Sequence, residues 1–412
     1  MSTTVTHQAS TPAILLTAPV DPEAGITSVD HLANHLKQAA YLELSTIPMY
    51  LYAAFSIGSR GYSQWSPGIG AFRLIRSVVV EEMLHLCLVR NVLVALGRGD
   101  GITFYDPEFV PKYPAPMLHR YPELLLHLGP CSRELVQDVF MEFERPKADP
   151  GEGKPPKGQY ATIGEFYRAV GKGLADLDAK LGPQLWAQNV PSVQYVSAYW
   201  NLDGGGEPVL VTDLASAQGA LKTIAEQGEG VDPGGPTVPI DPLDPTPGLD
   251  EMPHYTKFAQ IAQGIDPLGP VWPLPTDPQA EDYLADQAVT AISDLFNAAY
   301  CYVLHMLDMI YATSWADLAP GSTNPRYHYE RTFISAMQGI LVSLAETMVA
   351  TQIASGPYGG EANAGPTFEY RQLPRIGKKE HLLDLCDEAM RYFPTLGGDN
   401  GVRWLIGKMP DF

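Results

Sequence analysis

The sequence predicts an all-α protein built around a four-helix bundle, and three observations predict it. Apolar residues recur at spacings of three and four along several long segments, which is the period of a helix that buries one face. Single acidic or histidine residues interrupt these apolar stripes. The chain carries no internal repeat of fixed period and no Gly-rich strand-to-helix motif, so repeat and nucleotide-binding α/β folds are disfavoured.

Composition narrows the class of protein further. The 412 residues are 45% hydrophobic, which is enough for a sizeable core. The net charge of -20 disfavours binding to nucleic acid or to an anionic membrane surface. No segment reaches about 18 uninterrupted apolar residues, and the N-terminus lacks the pattern of a secretory signal. Four cysteines without CxxC spacing predict reduced, mostly buried thiols, and we expect a cytoplasmic protein.

The pattern along the chain predicts three regions. Residues 1–29 are expected to form an N-terminal arm, and residues 30–264 a metal-binding bundle with insertions. Residues 265–412 contain two long apolar helical segments, about 279–315 and 331–353, which predict an additional helical layer packed on the bundle. We expect the three regions to form one compact domain.

The first two helices place acidic groups on buried faces. The first begins near Ser28 or Asp30, and Glu43 occupies its apolar stripe. Pro48 is expected to bend or interrupt this helix, because it removes a backbone donor. On the second helix Glu82 and His85 are three residues apart, so both side chains point to the same space.

Later helices add further candidates. The third begins at Ser132 and places Glu144 at the end of its stripe, with Glu142 as the competing residue. The fourth begins near Asp213, and Glu229 continues its inward stripe. A helix after Pro253 begins with His254, which is either a ligand or a helix cap.

Three nearby groups receive other interpretations. Glu226 follows Lys222 by four residues and is explained as half of an exposed pair. Glu81 lies off the stripe and is expected to be an outer-shell or surface charge. On a later helix, His305 and Asp308 share a face, with Glu346 on the next helix. We expect a satisfied core pair there rather than a second site.

Several inward carboxylates need a compensating positive charge, because an ionised carboxylate buried alone is costly. Few Lys or Arg residues are near these positions, so a divalent metal is expected. Mixed N/O ligands suit iron, with a di-iron site favoured and manganese or zinc open. The predicted metal set is Glu43, Glu82, His85, Glu144, Glu229 and His254, of which Glu43, Glu82, His85 and Glu144 are also the predicted catalytic residues.

Six short segments between residues 30 and 370 together resemble one family. They are Glu43-Leu-Ser-Thr-Ile-Pro48-Met-Tyr50-Leu, Glu81-Glu-Met-Leu-His-Leu86, Ile163-Gly-Glu-Phe-Tyr167, Gln227-Gly-Glu-Gly230, His254-Tyr-Thr-Lys-Phe258 and Ala364-Gly-Pro-Thr-Phe-Glu369. They are similar to the ferritin-like domain of iminophenyl-pyruvate dimer synthases of the violacein, rebeccamycin and staurosporine pathways. The sequence lacks the long additional region of the biosynthetic members, so we expect a standalone form. The resemblance implies a ferritin-like fold and the same six-residue metal set.

We therefore expect a non-haem, metal-dependent oxidoreductase. Its partners would be O2 or peroxide and a small organic substrate, either amino-acid-derived or an aromatic intermediate of secondary metabolism. Two alternatives stay open at this point: a coupling enzyme like the dimer synthases, and a metal-binding or storage protein without turnover. A homodimer is also left open.

Overall fold

In the computed structural model of this chain, residues 25–58, 70–148, 151–187, 193–196, 205–230, 252–315 and 325–410 are described. Most of the expected N-terminal arm lies outside these residues. The helices are α1 Val29–Ser56, α2 Ala71–Ala95, α3 (133–143), α4 Ile163–Leu181, α5 Leu214–Gly228, α6 His254–Ala262, α7 Gln287–Ala312, α8 Pro325–Val349, α9 Lys378–Ala389 and α10 Val402–Lys408. Short 3-10 turns lie at Gly99–Gly101, Gly182–Leu185, Ala280–Tyr283 and Pro394–Gly397. The two strands, β1 Ala115–Pro116 and β2 Leu125–Leu126, pair antiparallel.

The predicted all-α bundle is confirmed. Helices α1 and α2, α2 and α5, α5 and α4, and α4 and α1 contact one another in turn, so the four close around a common core. Their N-termini are capped by side chains, as the sequence indicates: Ser28 accepts from the backbone N–H of His31, Thr162 from Glu165 and Asp213 from Ser216. Each cap satisfies one of the backbone donors that a helix start leaves without a partner.

The helix predicted after Ser132 does not form the third helix of the bundle. The segment after Ser132 is short and irregular, since a π-helical turn, Val136–Phe140, separates the α-helical pieces Arg133–Leu135 and Met141–Phe143. Helix α4 occupies the bundle position instead. The segment packs against α6, and the Phe140 ring lies 5.2 Å from the Phe258 ring, centroid to centroid. Periodicity identifies a helix with one buried face, but it does not say which helix completes a bundle.

Pro48 does not interrupt α1, which runs unbroken for 28 residues. The expectation of an interruption was wrong. The apolar stripe is buried on both sides of the proline, and Tyr52 and Phe55 beyond it belong to the same core as Leu36 before it. Tertiary packing of that stripe outweighs the loss of one helical hydrogen bond.

A second helical layer, formed by α7, α8, α9 and α10, packs on the bundle. Helix α8 contains the π-helical turn Ala336–Leu341 between Pro325–Ser335 and Val342–Val349. The family-like segment 364–369 lies in this layer, where the Asn297 amide donates to the Thr367 hydroxyl at 2.7 Å. All four cysteines are buried free thiols, as predicted.

Helix α8 is the one described helix long and apolar enough to cross a membrane, judged by length and composition alone. Its most apolar 18-residue window is 44% buried within the protein. A helix that packs in the interior of a folded domain passes the same test, so this signal is weak evidence for a membrane span.

Candidate metal centre

The first part of the candidate centre, here called site A, joins the middles of α1 and α2. Glu43, Glu82 and His85 are all buried, and each offers one ligand atom within 4.8 Å of the other two. The Nδ1 atom of His85 lies 3.4 Å from Glu43 Oε2 and 4.0 Å from Glu82 Oε1. The three-residue spacing on α2 therefore has the consequence that the sequence suggested, since both side chains enter the same space.

The second part, site B, consists of Glu82, Glu144 and His254, again with ligand atoms within 4.8 Å of one another. His254 Nδ1 lies 2.9 Å from Glu82 Oε1 and 3.4 Å from Glu144 Oε1. Glu144 directly follows α3, and His254 is the first residue of α6. Glu82 belongs to both sites, and its Oε1 faces both histidines, 4.0 Å from His85 Nδ1 and 2.9 Å from His254 Nδ1.

Both histidines turn the same nitrogen toward the centre. His254 Nε2 lies 2.9 Å from Glu81 Oε2, and His85 Nε2 lies 3.0 Å from the Gln227 amide oxygen. Each partner atom is an acceptor, which places the ring proton on Nε2. The Nδ1 lone pair then faces the carboxylates, as in a metal-binding histidine whose other nitrogen is held by an outer acceptor.

A cation fits this geometry. His254 Nδ1 is buried and makes no hydrogen bond to the described residues, although Glu82 Oε1 is 2.9 Å away. Three carboxylates also converge on one space, and each of these residues is less than 5% exposed. A divalent ion would satisfy the orphaned nitrogen and balance the negative charges together. Nitrogen and carboxylate oxygen donors suit iron or manganese.

An ionic pair behind site B was missed by sequence reasoning. The Nζ atom of Lys257, a fully buried residue, lies 2.5 Å from Glu81 Oε2, and the Gly205 N–H donates to Glu81 Oε1 at 3.0 Å. Burial alone raises the pKa of Glu81, but Lys257 and His254 lower it to about 2. Glu81 is therefore ionised, and it contacts His254 and Lys257 without belonging to either group of ligands. The expectation of few cations nearby fails at Lys257, although its position three residues after His254 was a usable signal.

Hydroxyl groups hold the three carboxylates in place. The Thr46 hydroxyl donates to Glu82 Oε2 at 2.8 Å, and the Tyr50 hydroxyl donates to Glu144 Oε1 at 2.8 Å. Tyr167 of α4 donates to Glu43 Oε1. Glu43 and Glu82 thus each keep one oxygen on a neutral donor and turn the other toward a histidine Nδ1. In Glu144 the same atom, Oε1, accepts from Tyr50 and lies 3.4 Å from His254 Nδ1.

The buried carboxylates of the centre repel one another, and a cation would reduce this repulsion. Burial and the neighbouring Glu144 and Glu43 raise the pKa of Glu82 to about 8. Burial lowers the pKa of His254, but Glu144, Glu81 and Glu82 hold it well above its usual value. Without a cation the centre therefore retains protons, because the carboxylates disfavour one another's charges.

Glu229 lies outside both groups of three. It directly follows α5, where Gly164 N–H donates to its Oε1 at 2.5 Å and Arg168 Nη1 lies 3.7 Å from its Oε2. Glu229, Glu144 and all three residues of site A line a small cavity of about 10 Å³. Its role as a ligand stays a prediction, and its observed place is on the wall beside site A.

The competing acidic residues have other partners. Glu142, half-buried, pairs with Arg120 at 3.4 Å and Arg145 at 3.2 Å. Glu226 pairs with Lys222 at 3.5 Å, as the spacing suggests. On α7, Asp308 accepts the backbone N–H groups of Phe104 and Tyr105. Among the described residues the two groups with metal-ligand geometry are both at the centre formed by sites A and B.

Comparison with known proteins agrees with this architecture. The chain is 25% identical over 420 residues to dichlorochromopyrrolate synthase of Lentzea aerocolonigenes, covering 85% of this chain and 37% of that protein. It is 24% identical over 384 residues to 2-imino-3-(indol-3-yl)propanoate dimerase of Chromobacterium violaceum, covering 84% of this chain and 34% of the relative. The chain thus spans about a third of the length of these curated relatives. The resemblance suggested by the short segments is confirmed.

A solved structure supports the fold. The crystal structure of a ferritin-like protein from Caulobacter vibrioides superposes with a TM-score of 0.50 at 23% identity, over 77% of this chain and 96% of that one. The family model described as Ferritin-like matches residues 36–263, which is more than half of the chain and contains all six predicted ligands. With helices α1, α2, α4 and α5 closed around the carboxylate and histidine cluster, this chain belongs to the ferritin-like family.

Proposed function

We propose that this chain is a non-haem oxidoreductase whose centre holds two iron ions and uses O2 or peroxide to oxidise a small organic substrate. One observation carries the proposal. Glu82 is shared by two buried groups of three, and each group has its own histidine with Nδ1 turned inward. A single structural ion would need only one such group.

In this proposal Glu43, Glu82 and His85 hold one ion, and Glu82, Glu144 and His254 hold the other. Bound iron would supply one-electron redox chemistry toward O2 or peroxide, which zinc does not supply. Manganese has the same ligand preference and stays the alternative metal.

The protein's own groups set the conditions for that chemistry. Thr46, Tyr50 and Tyr167 orient the carboxylates through hydrogen bonds. Apolar Phe143, Ile163 and Ile224 line the small cavity with the ligands and limit the access of bulk water. A volume of about 10 Å³ is near the smallest that holds one molecule of the size of water. The organic substrate would therefore approach from outside this cavity, on the side where Glu229 meets exposed Arg168.

The names of the two curated relatives suggest the class of substrate. One is a synthase of dichlorochromopyrrolate and the other a dimerase of 2-imino-3-(indol-3-yl)propanoate. We therefore propose an aromatic, amino-acid-derived 2-imino acid as the substrate. Its oxidation would remove two hydrogen atoms, which convert O2 to hydrogen peroxide, or hydrogen peroxide to two molecules of water. Coupling of two such imines at carbon, with loss of one hydrogen from each, has the same balance.

Metal analysis and O2 consumption together test this function. We expect about two iron ions per chain, and O2 consumption when 2-imino-3-(indol-3-yl)propanoate is generated in the assay. Glu82→Gln and His85→Ala should lose metal and activity, whereas the control Glu142→Gln should keep both, because Glu142 pairs with Arg120 and Arg145 away from the ligands. Wild-type protein without bound redox metal, or full metal content in both variants, would contradict the proposal.

A further inference from the structure

A cavity much larger than the one beside site A lies between the bundle and the second helical layer. Its volume is about 760 Å³, within the range of roughly 300–1,000 Å³ that is typical of small-molecule sites. Its walls come from α1 and α2 on one side and from α7 and α8 on the other. We call it the interlayer cavity.

The wall chemistry is apolar inside and charged at the open side. All but four of the residues that line the cavity are aliphatic or aromatic. Of the four, Cys87 is buried, whereas Arg76, Gln338 and Glu346 are exposed and so mark the mouth. A ligand that matches these walls has an apolar body and one polar end.

The cavity wall formed by α8 is only partly shielded from solvent. Phe333, Ile334, Met337 and Val342 line the cavity and remain half-buried, although all four are large apolar side chains. On the bundle side Met83 also lines the cavity and is half-buried. A contiguous apolar surface left open in this way marks a binding site more often than a packing defect.

Two local features point to a ligand independently of the volume. The π-helical turn Ala336–Leu341 supplies Met337, Gln338 and Leu341 to the wall, and such turns are frequent at functional sites. The second is Tyr300, a wall residue only 5% exposed, whose hydroxyl makes no hydrogen bond to the described residues. A buried hydroxyl without a partner is costly unless another molecule supplies an acceptor.

The interlayer cavity is separate from the metal centre, and helical geometry shows why. On α2 the centre receives Glu82 and His85, while the cavity receives the next residues, Met83 and Leu86. On α1, Leu44 follows Glu43 in the same way. Successive helical residues point about 100° apart, so α1 and α2 present the ligands and the cavity residues on adjoining sides. The interlayer cavity and the small cavity at the metal centre have no lining residue in common.

We propose that the interlayer cavity binds an elongated amphipathic molecule, with its apolar body between α1–α2 and α7–α8 and its polar end at the mouth marked by Arg76, Gln338 and Glu346. This site is additional to the proposed redox function and does not depend on it. The shared chemistry is an apolar body with one polar end, and two sources supply it: an alkyl-chain acid and a fused-ring aromatic acid.

Calorimetric titration of the full, metal-loaded chain tests this proposal, with laurate as the alkyl probe and phenanthrene-9-carboxylate as the aromatic probe. We expect saturable binding of one of them at one site per chain, and the tighter probe identifies the source. Met337→Trp and Val303→Trp, which add volume inside the cavity, should weaken that binding at least tenfold. Ile376→Trp, at a residue 86% exposed, is the matched control and should leave it unchanged.

The metal site provides the second control. Glu82→Gln should lose metal but keep binding of the probe, and Met337→Trp should do the reverse, so that failure of either proposal is seen separately. If neither probe binds wild-type protein saturably, the proposal is wrong. The wild-type titration decides the question even if both tryptophan variants fail to fold, as judged by circular dichroism.

Discussion

Sites A and B share Glu82 but differ in what stands behind their histidines. Behind His254 of site B is Glu81, ionised and paired with buried Lys257. Behind His85 of site A is the neutral amide of half-buried Gln227. A carboxylate that accepts a histidine N–H makes the ring a stronger ligand than an amide does. The two halves of the proposed centre are therefore expected to differ in metal affinity.

The two sites also differ in their contact with the small cavity, and site B is again the more enclosed. All three residues of site A line the small cavity beside Glu229, whereas His254 of site B is not in its wall. Site B is enclosed by Glu81 and Lys257, which are 1% and 0% exposed. Under the proposed function, an ion in site B would therefore be held more tightly, and an ion in site A, beside the small cavity, would exchange more readily.

The largest effect is expected when the ion pair behind site B is broken. Lys257→Met leaves Glu81 buried without its cation, which should destabilise the fold by about 3–5 kcal/mol and impair metal binding at site B. Urea unfolding and metal content measure both. Lys222→Met, which breaks the exposed pair with Glu226, should cost at most about 1 kcal/mol. Adding Glu81→Gln to Lys257→Met should recover part of the lost stability, and no recovery would argue against a charge effect.

Metal binding should weaken strongly as the pH falls. The pKa of Glu82 is raised to about 8 by burial and by Glu144 and Glu43, and binding requires the carboxylate, so protons compete below that pH. Because Glu82 serves both sites, each should lose up to about tenfold in affinity per pH unit between pH 8 and 6. Competition titrations with a metal chelator at several pH values measure this. Affinity independent of pH in that window would show that Glu82 is already ionised.

The same group sets the pH dependence of the metal-free protein. The pKa of Glu82 is higher in the folded than in the unfolded chain, so its stabilising contribution is full below the unfolded pKa of about 4.5 and is lost as the pH rises toward about 8. Glu82→Gln should flatten this decline in the chelator-treated protein. Urea unfolding of both proteins at pH 6 and pH 8 checks it. An equal decline in both would assign the effect to another group.

Site B should depend on Glu81 more than site A does. Glu81→Gln replaces the carboxylate behind His254 by an amide and should weaken metal binding at site B by about 10–100-fold. Site A should change little, because His85 has its own acceptor. Stepwise metal titration resolves the two events. Glu142→Gln provides the control, and equal weakening of both sites would remove the distinction between them.

The smallest effect is expected from the converse substitution, in which the amide behind His85 becomes a carboxylate. Gln227→Glu gives His85 a carboxylate acceptor and should strengthen site A by about tenfold or less, because Gln227 is half-buried and solvent screens the new charge. Gln218→Glu, at an exposed position of the same helix, is the matched control. If Gln227→Glu weakens site A, the neutral acceptor is required there.

Much of the centre could be predicted from the sequence because helix periodicity is local. Glu43, Glu82 and His85 lie within regular helices, where spacing alone fixes the face, and the structure brings them together. Glu144 and His254 were found by the same argument, although each lies at a helix end. Glu229 followed the stripe of α5 but lies at the end of that helix, where Gly164 N–H and Arg168 hold its carboxylate. Periodicity gives the direction of a side chain around the helix axis, but it does not give the distance from that side chain to the other ligands.

The outer shell could not be predicted in that way. Lys257 and Glu81 are 176 residues apart in the chain, and Gln227 and His85 are 142 apart. Local spacing places Lys257 on the side of its helix that carries His254, but it does not show that Lys257 meets Glu81 or that Gln227 meets His85. The interlayer cavity has the same origin, since each of its walls is an ordinary apolar helix face, and only the packing of α7 and α8 against α1 and α2 leaves space between them.

The sequence by itself determined the helical class, the inward faces and the residues that bring carboxylate and imidazole to them, because these follow from the 3.6-residue period and from the cost of burying charge. Only the tertiary structure decided that α4 completes the bundle, that Glu82 is shared by two sites and that an ion pair stands behind just one histidine. Those features depend on contacts between segments distant in the chain, which form where packing and charge balance are satisfied together.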